Sequence, residues 1–287
     1  MRRFVLLAAA WGLMLGGPLR SDVFLCAAES PPSTTASATP ALPTPSTLAL
    51  EPQGATIYGR HGVQRLLTTG KVDGKPALHD YSRAAKYASS DPTIATVTSD
   101  GVVIPLTNGT VEITADFAGK TATTKVTVVE CDHERPISFR SQIVPVFSKF
   151  ACNSGGCHGK ASGQNGFRLS LLGFDADFDY MAIVKAGRGR RVFPAAPDNS
   201  LLLQKAVGSL PHGGGQRIKP ESEEYKIVRR WIEQGMPPGT KDDPTLVRIE
   251  CTPKSAILNR DAQQQILVTG YFSDGRSRDI TRSAIQK

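Results

Sequence analysis

Two cysteines and a histidine stand close together near the middle of the chain. Cys152 and Cys157 are separated by four residues, and His158 follows the second cysteine directly. A cysteine pair that ends in Cys-His attaches c-type haem: each thiol adds to a vinyl group, and the histidine binds the iron. The usual spacing is shorter, but Gly155 and Gly156 can fold the additional residues out of the way. The spacing therefore predicts one covalent haem c.

Three other interpretations of these residues stay open. A Cys152–Cys157 disulfide is feasible in an exported protein. A zinc site would need further Cys or His ligands, and His133 and His212 are scattered along the chain. A buried structural Cys-His pair without any cofactor is the simplest of the three.

A second iron ligand is expected from the loop before the last predicted helix. That loop, Pro211–Gly215, contains a histidine and three glycines but no methionine. We predict His212 as the distal ligand, because the glycines let the backbone approach the haem closely. Met181 and Met236 are alternatives that more often pack in cores, and an open iron site is a further one. Ligation by two histidines predicts a lower potential than His-Met ligation.

Basic residues are concentrated around this motif. Arg188, Arg190 and Arg191 form a cluster, and Arg190 and Arg191 are candidate contacts for the haem propionates, although a solvated loop explains them equally well. Residues 135–240 carry 15 Lys/Arg and 8 Asp/Glu, which leaves a net charge of +7 out of +8 for the whole chain. We expect an acidic redox partner protein, because a basic surface alone does not indicate nucleic acid.

Helices are predicted on both sides of the motif, within residues 135–244. Apolar residues recur at helical spacing over 139–150, and Pro145 predicts that this helix is short or kinked. Residues 200–207 form a second candidate, and 223–234 form a third that stops at Gly235. This stretch is expected to be a mainly α domain.

The flanking segments show a β pattern instead. Alternating apolar residues and regular turn signals over 48–130 predict a small β-sandwich. Part of it recurs, because Gln64–Gly70 matches Gln264–Gly270, and an Asp-Gly turn follows in both copies. Residues 245–287 therefore predict the first half of a second sandwich, and the chain is expected to be a piece of a longer protein or a truncated product.

The N-terminus reads as an export signal. Arg2 and Arg3 precede an apolar run, and cleavage is predicted after Ala28. An uncleaved anchor is the alternative; after cleavage no stable membrane span is expected. The Pro/Ser/Thr-rich residues 29–47 predict a disordered linker. The mature protein is expected in the periplasm or at the cell surface.

Two parts of the chain resemble known families. Most of residues 48–129 resembles group 2 bacterial immunoglobulin-like domains. Residues 138–237 resemble the cytochrome-c-like domain of large planctomycete proteins, in which it sits beside the same immunoglobulin-like domains. The second resemblance implies haem c. It is carried by residues 152–159 (CNSGGCHG), 165–171, 174–175, 178–180, 189–191, 200–203 and 212–215.

These observations predict an immunoglobulin-like β-sandwich, a mainly α cytochrome-c-like domain and an incomplete second sandwich. The expected function is electron transfer through one haem. The alternatives are a non-haem adhesive or scaffold protein with a Cys152–Cys157 disulfide, and a haem-based sensor. Nothing resembles a catalytic nucleophile or acid-base pair, so these residues are not expected to form an enzyme. Cys131 and Cys251 flank the haem segment and are a candidate disulfide.

Overall fold

The structure is a computed structural model that describes residues 42–74, 78–240, 242–258 and 263–284. The described residues belong to one compact unit that begins at Leu42. The predicted signal peptide and residues 29–41 of the predicted linker lie outside this description. Within the described residues, no helix is long and apolar enough to cross a membrane. The fold is β-rich, with 29% of residues in strands against 20% in helices.

The first region contains the strands that alternation and turn signals predict. In chain order they are β1 (Thr47–Glu51), β2 (Gly54–Tyr58), β3 (Gln64–Arg65), β4 (Leu67–Lys71), β5 (His79–Asp80), β6 (Lys86–Ser89), β7 (Ala95–Val97), β8 (Val102–Pro105), β9 (Gly109–Phe117) and β10 (Lys120–Val129). They form three sheets, ordered β1-β4-β5, β2-β10-β9-β6 and β3-β8-β7. Pairing is antiparallel except between β2 and β10, which run parallel.

Apolar residues from different sheets share one core in this region. Leu50 of β1 and Val103 of β8 are fully buried, together with alternate residues of β9 and β10. Because side chains alternate across a strand, Val126 and Val128 point into this core while Lys125 and Thr127 do not. Burial of these side chains, each worth about 1.5–3 kcal/mol, drives the packing of the sheets.

The central region is built from short helices joined by turns. The helices are α1 (Val144–Lys149), α2 (Ala176–Tyr180), α3 (Leu201–Ala206) and α4 (Glu223–Glu233), with π-helical turns at Phe139–Ile143 and Met181–Lys185 and single 3₁₀ turns elsewhere. The region is less helical than predicted. Residues 151–240 hold 14 of the 27 glycines of the chain, and glycine disfavours helix interiors. As Pro145 predicted, the helix before Cys152 is short: α1 spans only the six residues Val144–Lys149, with the proline in its first turn.

A separate hydrophobic core holds these helices together. Trp231 of α4 is fully buried, and its ring centroid lies 5.2 Å from that of Phe139. The indole nitrogen of Trp231 donates to the Pro237 carbonyl at 3.0 Å, so the polar end of the ring is satisfied. Ser222 caps α4 by accepting a hydrogen bond from the Tyr225 amide.

The last strands form a third sheet, in the order β11 (Leu246–Thr252), β12 (Leu267–Phe272) and β13 (Ser277–Asp279). This sheet contacts the first region through a reciprocal pair of hydrogen bonds. Asp279 accepts from the Arg65 amide at 2.6 Å, and Asp80, which occupies the same place in the repeat, accepts from the Gln265 amide. The two repeat copies therefore face each other with matching residues.

The expected Cys131–Cys251 disulfide is not formed in the structure. Cys131 is buried in the first core and Cys251 is exposed on β11, and both are free thiols. The prediction rested only on their positions in the sequence, which do not determine the distance between two thiols.

Candidate functional site

One cavity of about 670 Å³ brings together the residues that the sequence singled out for cofactor chemistry. Cys152, Cys157, His158 and His212 all line it. Its volume lies within the range of about 300–1,000 Å³ that is typical of small-molecule and cofactor sites. Its remaining lining is largely apolar and includes Phe147, Phe167, Leu169, Leu201, Leu202 and Ile218.

The loop from Cys152 to Gly159 closes on itself through backbone hydrogen bonds. The His158 amide donates to the Cys152 carbonyl, and the Gly159 amide donates to the Ser154 carbonyl, each at 3.0 Å. A side chain at position 159 would place its Cβ 2.0 Å from the Asn153 carbonyl oxygen, so only glycine fits there. This closure holds both cysteines and His158 at one cavity.

The two thiols differ in their surroundings. Both are free and only partly exposed. Burial raises the pKa of Cys152 to about 11, although the nearby charge of Arg217 opposes that rise. The Cys157 sulfur lies 3.9 Å from a guanidinium nitrogen of Arg217. Both thiols are free in the structure and line the same cavity.

His158 is held by the segment that follows the loop. Its Nδ1 atom lies 2.9 Å from the Phe167 carbonyl oxygen, and its own carbonyl accepts from the Leu169 amide at 2.8 Å. Because a carbonyl only accepts, the bond places the proton on Nδ1 and leaves the Nε2 lone pair free. Burial lowers the pKa of His158, with smaller contributions from His212 and Arg191. A neutral imidazole with a free Nε2 is the form that binds a metal.

His212 is oriented in the same way by the glycine loop. Its Nδ1 atom lies 2.9 Å from the Gly215 carbonyl oxygen, which likewise leaves Nε2 free. Its ring is parallel to that of His158 within 5°, and the two ring centroids are 6.3 Å apart.

This separation matches the spacing of two imidazoles on opposite sides of one metal ion. A metal–nitrogen bond of about 2.0 Å and an imidazole radius of about 1.15 Å on each side put the ring centroids about 6.3 Å apart. Two imidazoles stacked face to face in van der Waals contact would lie much closer. The residues present therefore include groups suited to a metal cofactor: two parallel imidazoles with Nε2 free of hydrogen bonds to carbonyls, and two thiols at the same cavity.

Positive charge surrounds the cavity. Arg190, Arg191, Lys205 and Arg217 line it, and no Asp or Glu belongs to its described lining. Arg191 is buried, and its guanidinium donates to the carbonyls of Ala182, Ala186 and Gly166 and stacks on the Phe167 ring. Most of its N–H donors are therefore bonded to backbone carbonyls around the cavity. Arg190, Lys205 and Arg217 are the cations that can bind an anionic group there.

Neither candidate methionine lines this cavity. Met181 is 54% exposed, and Met236 packs on the helical core while its backbone carbonyl accepts from the Tyr180 hydroxyl. His133 is an exposed residue beside Asp132. Over the described ranges, no group of three or more His, Cys, Asp or Glu side chains is placed to hold a metal ion by itself.

The sequence did not single out Lys205 and Arg217, or the carbonyls of Phe167 and Gly215 that orient the two histidines. Lys205 and Arg217 flank the His212 loop in the sequence, but only the folding of that loop against residues 152–158 turns them toward the cavity. Backbone carbonyls carry no sequence signal at all.

A second cavity of about 740 Å³ lies where the three regions meet, but its charged groups are mostly paired with one another. Lys149 binds Glu224 at 2.6 Å, and Arg230 contacts the His61 ring at 3.1 Å. It contains no comparable set of ligands.

No family model matches this sequence, and a search of curated proteins found no similar one.

Proposed function

We propose that this chain is an exported electron carrier with one haem c, attached through Cys152 and Cys157 and bound at the iron by His158 and His212. One observation carries the proposal: two parallel imidazoles, each with a free Nε2, stand 6.3 Å apart in a cavity that also contains both thiols. Haem iron supplies one-electron chemistry when it is bound between two such ligands.

Each group of the site has a distinct role in this proposal. The thiols tether the cofactor, and the imidazoles bind the iron while their Nδ1 atoms stay bonded to carbonyls. Arg190, Lys205 and Arg217 neutralise the propionates. The apolar lining excludes water, which lowers the reorganisation that accompanies a change of charge. Two imidazole ligands give a lower potential than a His-Met pair would.

The wider assignment belongs to the same proposal. We infer that residues 48–130 form an immunoglobulin-like sandwich, that 135–244 form a cytochrome-c-like domain, and that 245–287 belong to a second sandwich. Burial of alternate residues of β9 and β10 supports the first assignment, and helices on both sides of the haem loop support the second. The excess of basic residues favours an acidic partner protein in the periplasm or at the cell surface.

Covalent haem tests the proposal directly. The full chain is expressed in a host with cytochrome c maturation, and denaturing gels are stained for haem. We expect the wild type and the Cys251→Ser control to retain haem, and the Cys152→Ser/Cys157→Ser double variant to lose it. Absence of haem from the wild type, together with an oxidised Cys152–Cys157 pair, would support the scaffold alternative instead.

The distal ligand needs its own measurement. Replacing His212 with Ala should convert the reduced spectrum from a six-coordinate to a five-coordinate form, because the replaced imidazole bound the iron. His133→Ala is the matched control, since His133 is exposed and does not line the cavity. An unchanged spectrum in the His212 variant would remove this residue as a ligand.

A further inference from the structure

Arg191 is a buried cation that is held by backbone carbonyls instead of a carboxylate. The residue is only 6% exposed, and no Asp or Glu of the described residues forms an ion pair with it. Taking a cation out of water destabilises a fold unless hydrogen bonds compensate for the lost hydration. The groups that Arg191 binds therefore show what this buried charge contributes to the molecule.

The guanidinium of Arg191 joins two parts of the central region. Its Nη1 atom donates to the carbonyls of Ala182 and Ala186, at 3.1 Å and 2.8 Å, in the turns that follow α2. Its Nη2 atom donates to the Gly166 carbonyl at 2.9 Å, and its flat face lies 4.6 Å from the centre of the Phe167 ring. A planar fork of donors can make these hydrogen bonds and stack on a ring at the same time, whereas an ammonium group cannot.

The clamped segment is the one that orients His158. Gln164 and Phe167 close a small turn through two backbone hydrogen bonds of 2.9 Å each. The Phe167 carbonyl oxygen also lies 2.9 Å from Nδ1 of His158, and the two ring centroids are 4.5 Å apart. Because the tip of this turn is exposed, the bond from Arg191 to Gly166 ties the tip to the helical core.

We propose that Arg191 is the positioning residue of His158. By holding Gly166 and Phe167, it keeps the Phe167 carbonyl at Nδ1 and leaves Nε2 free at the cavity. The inference rests on the proposed function only in that His158 serves as an iron ligand there. His212 lies outside this clamp, because the Gly215 carbonyl orients its ring.

Nitrogen NMR of the histidine side chains in the full chain without haem tests the proposal, because the shifts of Nδ1 and Nε2 report which nitrogen carries the proton. The spectra are recorded at about pH 8, where a histidine is neutral. We expect Arg191→Gln to raise the ratio of the Nε2–H to the Nδ1–H form of His158 about fivefold, the factor that one ordinary hydrogen bond supplies. The ratio for His212 should not change.

Two further variants separate the clamp from its charge. Arg191→Lys keeps the positive charge but loses the planar fork, so we expect most of the same change at His158. It also decides the test if Arg191→Gln does not fold. Arg188→Gln is the matched control: it removes the same charge from an exposed residue of the same loop that does not line the cavity, so His158 should stay as in the wild type.

A role in stability alone would give a different pattern from a positioning role. It would lower the Tm of the Arg191 variants and leave the His158 ratio unchanged, or it would alter both histidines alike. Either result in a folded Arg191 variant would overturn the proposal. A wild-type chain that takes up no haem would instead refute the proposed function, since the NMR measurement uses protein without haem.

Discussion

At the scale of single residues, the site depends on how hydrogen bonds orient two histidines. His158 and His212 each have their Nδ1 bonded to a backbone carbonyl, so each offers Nε2 to the same cavity. Arg217 adds a positive charge beside Cys157. A cation near a haem destabilises the oxidised iron, which is the more positive state, and so raises the potential.

Under the proposed haem assignment, replacing Arg217 should therefore lower the reduction potential of the haem. We expect Arg217→Gln to shift the midpoint downward by on the order of tens of millivolts, since the group is partly solvated and its field is screened. Potentiometric titration measures this shift. Arg168→Gln is the control, because Arg168 stacks on Phe178 and does not line the cavity. Equal shifts in both variants would contradict a local effect.

At the scale of elements, the loop that carries the cysteines is closed by a contact that permits no side chain. Gly159 packs against the Asn153 carbonyl, whereas Gly155 has room for a side chain outside the cavity lining, since a Cβ there would lie 3.9 Å from its nearest neighbour, Leu171. The two glycines of one loop therefore have different roles. Gly159 closes the loop, and Gly155 only lengthens it.

Alanine at each position should separate these roles. Gly159→Ala should lower the free energy of unfolding by several kcal/mol and sharply reduce covalent haem. The reason is that the loop must open to admit the methyl group. Gly155→Ala should retain near wild-type haem, because a methyl group fits there without entering the cavity. Thermal unfolding measures the loss of stability, and haem staining normalised to protein measures the loss of covalent haem. Similar losses in both variants would show that loop flexibility, and not this contact, controls attachment.

Another pair of elements, the turn at Pro197–Asn199 and helix α4, is joined by a titratable contact. The Tyr225 hydroxyl donates to Asp198 at 2.6 Å, and Arg229 also bonds this carboxylate. The Tyr225 hydrogen bond is the main cause that lowers the pKa of Asp198 below its ordinary value of 3.8, with Arg229 contributing further. A carboxyl group whose pKa is lowered by folding stabilises the fold when the pH is above its pKa in the unfolded chain. This stabilisation is lost as the pH falls through its pKa in the folded protein.

Tyr225→Phe should thus destabilise the protein in a pH-dependent way. At neutral pH we expect a loss of at most about 1 kcal/mol in the free energy of unfolding, because the carboxylate is more than half exposed and water screens it. The difference from the wild type should shrink below pH 3.8, where the carboxyl is protonated in the unfolded chain. Denaturant unfolding at several pH values measures it. A difference that is constant with pH would assign the loss to packing.

At the scale of the whole molecule, the two copies of the repeat contact each other through equivalent residues. Asp80 and Asp279 each accept a hydrogen bond from a backbone amide of the opposite copy. Arg276 adds a two-pronged ion pair with Glu130, at 2.8 Å and 3.1 Å. These contacts connect the last sheet to the first region.

Removing one of the two carboxylates should loosen this junction locally. Asp279→Ala leaves the Arg65 amide without its acceptor, so we expect exchange of that amide to rise about tenfold, while β9 and β10 stay protected. Hydrogen-exchange mass spectrometry measures both. Asp177→Ala is the control, since this exposed carboxylate pairs only with Arg140 across the surface. Unchanged exchange in β3 would show that the junction does not depend on Asp279.

Much of the local structure follows from sequence pattern. Alternation and turn residues predict the strands from β7 to β10, and Pro145 predicts that the helix before Cys152 is short, because these signals act over a few neighbouring residues. The amount of helix was predicted too high, since the many glycines of the central region shorten its helices. From the sequence alone, His212 could only be preferred to Met181 and Met236 as the distal ligand. The structure places the His212 ring parallel to that of His158.

The sequence by itself determined the reactive residue types, their spacing in the Cys152–His158 motif and the repeat that relates Gln64–Gly70 to Gln264–Gly270. Those features are local or are visible by comparing one part of the chain with another. Only the tertiary structure decided which loop faces the motif and which arginines line the cavity. Such contacts join residues that are distant in the chain, and their geometry depends on how whole elements pack.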